Sequence, residues 1–206
     1  MKILGKTVTV KKTIVFLTGM ICVAMGMTLY VHANSGAEPW SLFYAGVSIA
    51  SGLPLGTVVQ LTGLVMVVTV CLAERVLPGP GTVGSFVVIG FFSNLFAKLD
   101  LSWLGTGLWW EVLVWGAATL MLSLGLGVYV TADLGEGSIE LVQFFLVRKM
   151  KSNPVTVRII MDGTVSLVGF FLGGPLGVGT VLSALSIGPL LVFFARLSRR
   201  YIFNES

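Results

Sequence analysis

The sharpest chemical feature of the sequence is Arg158 and Asp162, a charged pair four residues apart inside an otherwise apolar stretch from Pro154 to Gly173. On a helix that spacing puts both side chains on one face. Charge inside a membrane-crossing stretch is costly, so such groups normally face a bundle interior or a wet cavity, and Arg158 and Asp162 are expected to bind or gate a solute. A structural ion pair, with Arg158 reaching toward the cytoplasmic end, is the competing reading. The matching stretch in the first half of the chain carries Gln60 and Thr62, polar but uncharged, so only one half holds the charged pair.

Other candidates are less specific. Glu38, Asp133, Glu136 and Glu140 stand at the starts of two short segments, where negative charge complements a helix N-terminus. If those segments dip into a bilayer, Glu38 and Glu140 become cation or proton sites instead. Gly36 and Gly135 precede the same segments and supply backbone at a broken helix end. Gly81-Thr82 and Gly179-Thr180 open two apolar stretches, where free N–H groups either attract an anion or serve capping and close packing. His32 is the sole histidine and is read as interfacial. Cys22 and Cys71 are read as two buried thiols rather than a redox or metal pair. With no Gly-x-Ser-x-Gly, His-Glu-x-x-His or Walker sequence, neither enzyme chemistry, nor a metal site, nor a cofactor is expected.

The elements that must position these residues are membrane helices. Of 206 residues 55% are hydrophobic and 11% charged, and the mean hydropathy is +0.97, too apolar for a soluble domain of this length. The 26 glycines suit helices that touch through small residues in lipid. The net charge of +4 sits at the ends of apolar stretches rather than on one face, which marks topology and argues against nucleic acid as a partner.

The chain also contains itself twice. Gly26-Met-Thr-Leu-Tyr-Val-His-Ala-Asn-Ser-Gly36 returns 99 residues later as Gly125-Leu-Gly-Val-Tyr-Val-Thr-Ala-Asp-Leu-Gly135. Gly81-Thr-Val with Ser85 and Ile89-Gly90 returns 98 residues later as Gly179-Thr-Val with Ser183 and Ile187-Gly188. Two matches at nearly one offset imply duplication, and a unit with an odd number of crossings must insert its second copy upside down. One membrane domain over 1–206 follows, with repeats at about 14–98 and 111–197.

Stretches 14–33, 54–73, 81–97, 111–131, 154–173 and 177–196 each have the length of a crossing. A six-crossing layout puts Lys2, Lys6, Lys11, Lys12, Arg75, Arg148, Lys149, Lys151, Arg196, Arg199 and Arg200 on one side and only Lys98 on the other. By the positive-inside rule both termini are cytoplasmic, with Trp40, Trp103, Trp109 and Trp110 at the outer interface. Val31-His32-Ala33 has the spacing of a signal cleavage site, but Val130-Thr131-Ala132 repeats it deep in the chain, so the first stretch stays as a span. Segments 39–51 and 138–150 are too short to cross and are read as interfacial or re-entrant helices. The expected fold is all-α: a polytopic membrane helix bundle of six transmembrane helices, as two inverted three-span repeats, each with one such short helix.

Tyr30-Val-x-Ala33-x-x-Gly36-x-x-Pro39-Trp40, the pair Arg158-x-x-x-Asp162, Gly173-Gly-Pro-x-Gly-Val-Gly-Thr180 and Ile187-Gly-Pro189 together resemble the YczE/YyaS/YitT group of bacterial integral membrane proteins. Departures are Asn34-Ser35 where an Asp-Leu pair is expected, as at Asp133-Leu134, and Asp162 in place of a more usual Glu. The resemblance implies a polytopic protein of the bacterial cytoplasmic membrane without implying a substrate. The function expected from the residues is a small-solute transporter or transporter subunit with its path between the halves. A non-transporting scaffold or regulator of a partner complex is the alternative. The partners expected are the lipid bilayer, a small-molecule substrate, and a second copy or a partner subunit.

Overall fold

The computed structural model describes residues 2–3, 6–7, 9–33, 35–99 and 107–203. After a short antiparallel pairing of β1 (Lys2–Ile3) with β2 (Lys6–Thr7), the described residues form eight helices. They are α1 (Val10–Ala33), α2 (Pro39–Ser51), α3 (Leu55–Glu74), α4 (Pro80–Phe96), α5 (Leu108–Thr131), α6 (Ser138–Met150), α7 (Pro154–Phe171) and α8 (Val178–Ile202). Five of them, α1, α3, α5, α7 and α8, are long and apolar enough to cross a bilayer, and α4 is an apolar helix of 17 residues. Large exposed side chains such as Leu72, Trp109, Phe171 and Val178 are what a lipid-facing surface requires.

Local sequence sets the ends. Pro39, Pro80 and Pro154 occupy first-turn positions, where a missing N–H costs nothing and the fixed φ suits a helix. The Asn153 side chain accepts a 2.8 Å bond from the Val155 amide and caps α7. Gly52 closes α2 at φ +71°, and Lys151, 99 residues later, closes α6 in the same left-handed conformation at φ +49°. A helix lies at each of the six expected apolar stretches, with α1 starting earlier, at Val10, and α8 running past Arg196 to Ile202.

The packing centre is the α1·α5 crossing. A Cβ on Gly26 would lie 2.7 Å from the Leu122 nitrogen and 2.9 Å from the Ala118 oxygen; one on Gly19 would lie 2.7 Å from the Tyr129 nitrogen. Later residues of α1 thus meet earlier residues of α5, so the two helices run antiparallel. The Tyr30 hydroxyl, 2.7 Å from Thr119 Oγ1, and the Phe16 ring, edge-on to Tyr129 at 6.2 Å, repeat the same order. Backbones that touch maximise dispersion contacts where lipid offers no hydrophobic drive for association.

Around this pair the halves exchange contacts. The loop after α1 meets the start of α8, where Gly179 N donates to Ser35 O at 3.0 Å. The loop after α5 meets the start of α4, where Gly81 N donates to Leu134 O at 3.1 Å. Gly36 and Gly135, at φ +106° and +141°, make these close turns possible. Elsewhere the halves differ. Helices α3 and α4 run antiparallel in full contact: Asn94 Oδ1 accepts from Gly56 N at 2.8 Å, Asn94 Nδ2 donates to Thr57 at 3.2 Å, and Gln60 donates to Val87 O at 3.2 Å. Helices α7 and α8 leave their shared turn with almost no contact, and α7 packs on α2 instead, through Gly46, Gly169 and Gly174.

Substituting Gly26 by Val forces the α1·α5 backbones apart and is expected to cost about 3 kcal/mol. Gly116→Ala, where an added Cβ meets nothing within 4 Å, changes stability by less than about 1 kcal/mol. Thermal unfolding of both variants in lipid nanodiscs checks the contrast.

Candidate functional site

Between the halves lies a cavity of about 440 Å³. Its apolar wall comes in sequence-equivalent pairs from both copies: Val23 with Leu122, Met27 with Leu126, Ile89 with Ile187. Its charged and larger polar groups come from α2, α5, α6 and α7: Glu38, Trp40, Tyr44, Tyr129, Glu140, Gln143, Arg158 and Asp162. A volume of this size suits a small organic ligand, and an apolar wall with a few convergent polar groups is the usual makeup of such a site.

Arg158 and Asp162 are one helical turn apart on α7, and Arg158 Nε donates to Asp162 Oδ2 at 2.9 Å. The other oxygen, Oδ1, accepts from the Trp40 indole at 3.0 Å, so the carboxylate ties α7 to α2. The side chains keep 34% and 23% of their surface, so the pair opens into the cavity rather than being sealed in the core. In the first copy the positions equivalent to Arg158 and Asp162 hold Val59 and Gly63, and Val59 lines the same cavity without charge.

Glu38 is 7% exposed and caps α2. Its carboxylate accepts from Ser41 N at 2.7 Å, Ser41 Oγ at 2.8 Å and Trp40 N at 3.0 Å. These three bonds fix the carboxyl group in place at the start of the helix. Glu140, in the first turn of α6, faces the Tyr129 hydroxyl and lies in electrostatic reach of Arg158, as does Glu38. The guanidinium is in contact with Asp162 and lies in the field of two further carboxylates.

The structure thus brings Arg158, Asp162, Glu38 and Glu140 together. It does not bring in Gln60 and Thr62: Gln60 bonds α4, and neither lines the cavity. Gly81-Thr82 and Gly179-Thr180 open α4 and α8 against the loops that hold Gly135 and Gly36, and the Gly81 and Gly179 amides are taken by carbonyls of the other half. Trp40 departs from its expected place at the outer interface. It is 4% exposed, drawn inward by Asp162. Trp109 and Trp110 are exposed, and Trp103 lies outside the described residues. Cys22 and Cys71 are half-buried. Among the described residues no three His, Cys, Asp or Glu side chains are grouped to hold a metal ion. Sequence reasoning missed Tyr44 and Tyr129, although Tyr44 stands one turn after Trp40 on the same face of α2.

A family model described as a family of unknown function, DUF6198, matches residues 10–196, nearly all of the helical bundle. The chain belongs to that family. Relatives of the DUF6198 bundle bear out the resemblance to the YczE and YyaS proteins. The chain is 30% identical over 179 residues to the uncharacterized membrane protein YczE of Bacillus subtilis, covering 86% of this chain and 82% of that one. It is 29% identical over 191 residues to an uncharacterized protein of Haemophilus influenzae, covering 92% and 86%. To the uncharacterized protein YyaS of Bacillus subtilis it is 20% identical over 190 residues, covering 91% and 94%. No solved structure matches the chain. With five helices long and apolar enough to cross a bilayer, this DUF6198 chain is a multi-pass membrane protein.

Within the site, Arg158→Gln and Asp162→Asn are expected to be coupled. In a double-mutant cycle read by thermal unfolding in nanodiscs, the interaction energy is about 1 kcal/mol, the size expected of a partly wet pair inside a bundle.

Proposed function

We propose that the protein is a small-solute transporter of the bacterial cytoplasmic membrane, whose path runs through the cavity between two inverted three-crossing halves. The observation that carries the reading is a cavity walled by equivalent residues of both copies and containing the Arg158–Asp162 ion pair. Helix directions support six crossings. Where α1 begins, α5 ends and α4 starts; where α1 ends, α8 starts beside Ser35. With α3 antiparallel to α4, and α7 joined to α8 by a short turn beside Ser35 and Gly36, the crossings α1, α3, α4, α5, α7 and α8 alternate in direction. Lys11, Lys12, Arg75, Arg199 and Arg200 then share the face where α1 begins, which the positive-inside rule makes cytoplasmic.

The unequal closure of the halves supplies a mechanism. Helices α3 and α4 meet at the cytoplasmic face and stay packed along their length, closing the outer side. Helices α7 and α8 meet at the outer face and diverge, opening the cavity toward the cytoplasm. Two copies of one unit that adopt different closures can exchange them, so the outward-facing state is the one in which α7 packs on α8 and α3 leaves α4. The chemistry is passage rather than catalysis, with Arg158 and Asp162 lining the path and Trp40 coupling their position to α2.

Spin labels test this reading. With one pair at Leu55 and Leu95 and another at Val155 and Leu197, pulsed electron-paramagnetic-resonance distances in nanodiscs are expected to show a second population, in which the first distance lengthens and the second shortens. One fixed distance for each pair under all solute conditions, with no uptake of any member of a metabolite panel by proteoliposomes, supports the scaffold instead.

A further inference from the structure

The charged groups of the cavity do not balance, and their imbalance points to what it takes. Arg158 and Asp162 neutralise each other through their 2.9 Å contact. Glu38 is taken up by three donors at the start of α2. Glu140 has the Tyr129 hydroxyl beside it and shares Arg158 with two other carboxylates, so one negative charge lacks a full counter-charge.

A second observation is independent of the acids. Tyr44 lines the cavity at 3% exposure, and its phenol lies in electrostatic reach of Glu38, Glu140 and Arg158. Its hydroxyl makes no hydrogen bond among the described residues. A phenol that lines a cavity is placed to bond a ligand there. Around it Trp40, Tyr44, Phe86 and Tyr129 present ring surfaces, which attract a cation over their faces.

We propose that the solute is a small organic cation, an amine or quaternary ammonium on an apolar body, with Glu140 as its counter-charge and Tyr44 as its hydrogen-bond or ring partner. The inference rests on the cavity being the solute path. A metal cation would need a cage of oxygen ligands, which this largely apolar wall does not offer. An organic anion would meet Glu140 beside an Arg158 already paired with Asp162.

The test uses the full chain in nanodiscs with Cys22 and Cys71 replaced by alanine and a reporter thiol introduced as Val59→Cys, with Ala184→Cys as a second position should the first disturb folding. The probes are a trimethylammonium-bearing and a sulfonate-bearing methanethiosulfonate, with rates taken relative to a free thiol in solution. The cationic reagent is expected to be favoured by about tenfold or more, as in a cleft that concentrates one sign of charge. Glu140→Gln is expected to bring that preference at least halfway back on a logarithmic scale. An equal or faster anionic reaction leaves the cavity reading standing and overturns the cation. A cationic preference untouched by Glu140→Gln overturns the role of Glu140. If neither reagent, nor the small uncharged methyl methanethiosulfonate, modifies either thiol, the cavity is closed to solutes and both readings fall.

Discussion

The antiparallel contact of α1 with α5 is the constraint from which the rest of the molecule follows. At Gly19, Gly26 and Gly125 there is no room for a side chain, so the two backbones meet directly. Once these helices are joined head to tail, the loop after each lands beside the third long helix of the other half. The amides of Gly81 and Gly179 then find carbonyls across the duplication rather than within their own copy. Neither half closes on itself. Each supplies a wall and an end to a shared chamber, which is why the cavity lies between the copies.

On this frame the copies differ most at the cavity and at the helices that flank it. The first copy keeps α3 sealed to α4 through Asn94, Gly56 and Gln60. The second places Arg158 and Asp162 where the first has Val59 and Gly63, and leaves α7 apart from α8. Asp162 is held by both Arg158 and the Trp40 indole, the kind of partners that charge within an apolar helix bundle requires. The same contacts make α2 part of the site, so a change at α7 is felt at α2. The family relationship supplies the bundle and no chemistry, so the functional account rests on these residues.

Most of the scaffold was legible in the chain. Helix positions could be read because apolar length, Pro at first turns and the 99-residue offset all point the same way. The site was half legible. Arg158 and Asp162 stand out because charge is rare in an apolar run, and Glu38 and Glu140 because they begin short segments. Trp40 was misplaced because an aromatic after a loop looks the same whether it anchors at a headgroup or turns inward to a carboxylate, and only the partner 122 residues away decides. Tyr44 and Tyr129 carry no signal beyond being aromatic in apolar surroundings. The gap between α7 and α8 leaves no trace in local sequence, since it is a property of how two similar halves close.

Cross-link mapping of the central crossing tests the arrangement most directly. In membranes carrying the chain without Cys22 and Cys71, Tyr30→Cys with Thr119→Cys is expected to be joined by a short bifunctional methanethiosulfonate, because the Tyr30 hydroxyl reaches Thr119 Oγ1 at 2.7 Å in the antiparallel pair and a linker of side-chain length replaces the lost phenol. Tyr30→Cys with Tyr129→Cys, its counterpart in the second copy, is expected to stay unlinked. Linking of the second pair and not the first would mean that α1 and α5 lie parallel, and the proposed inverted arrangement would fall.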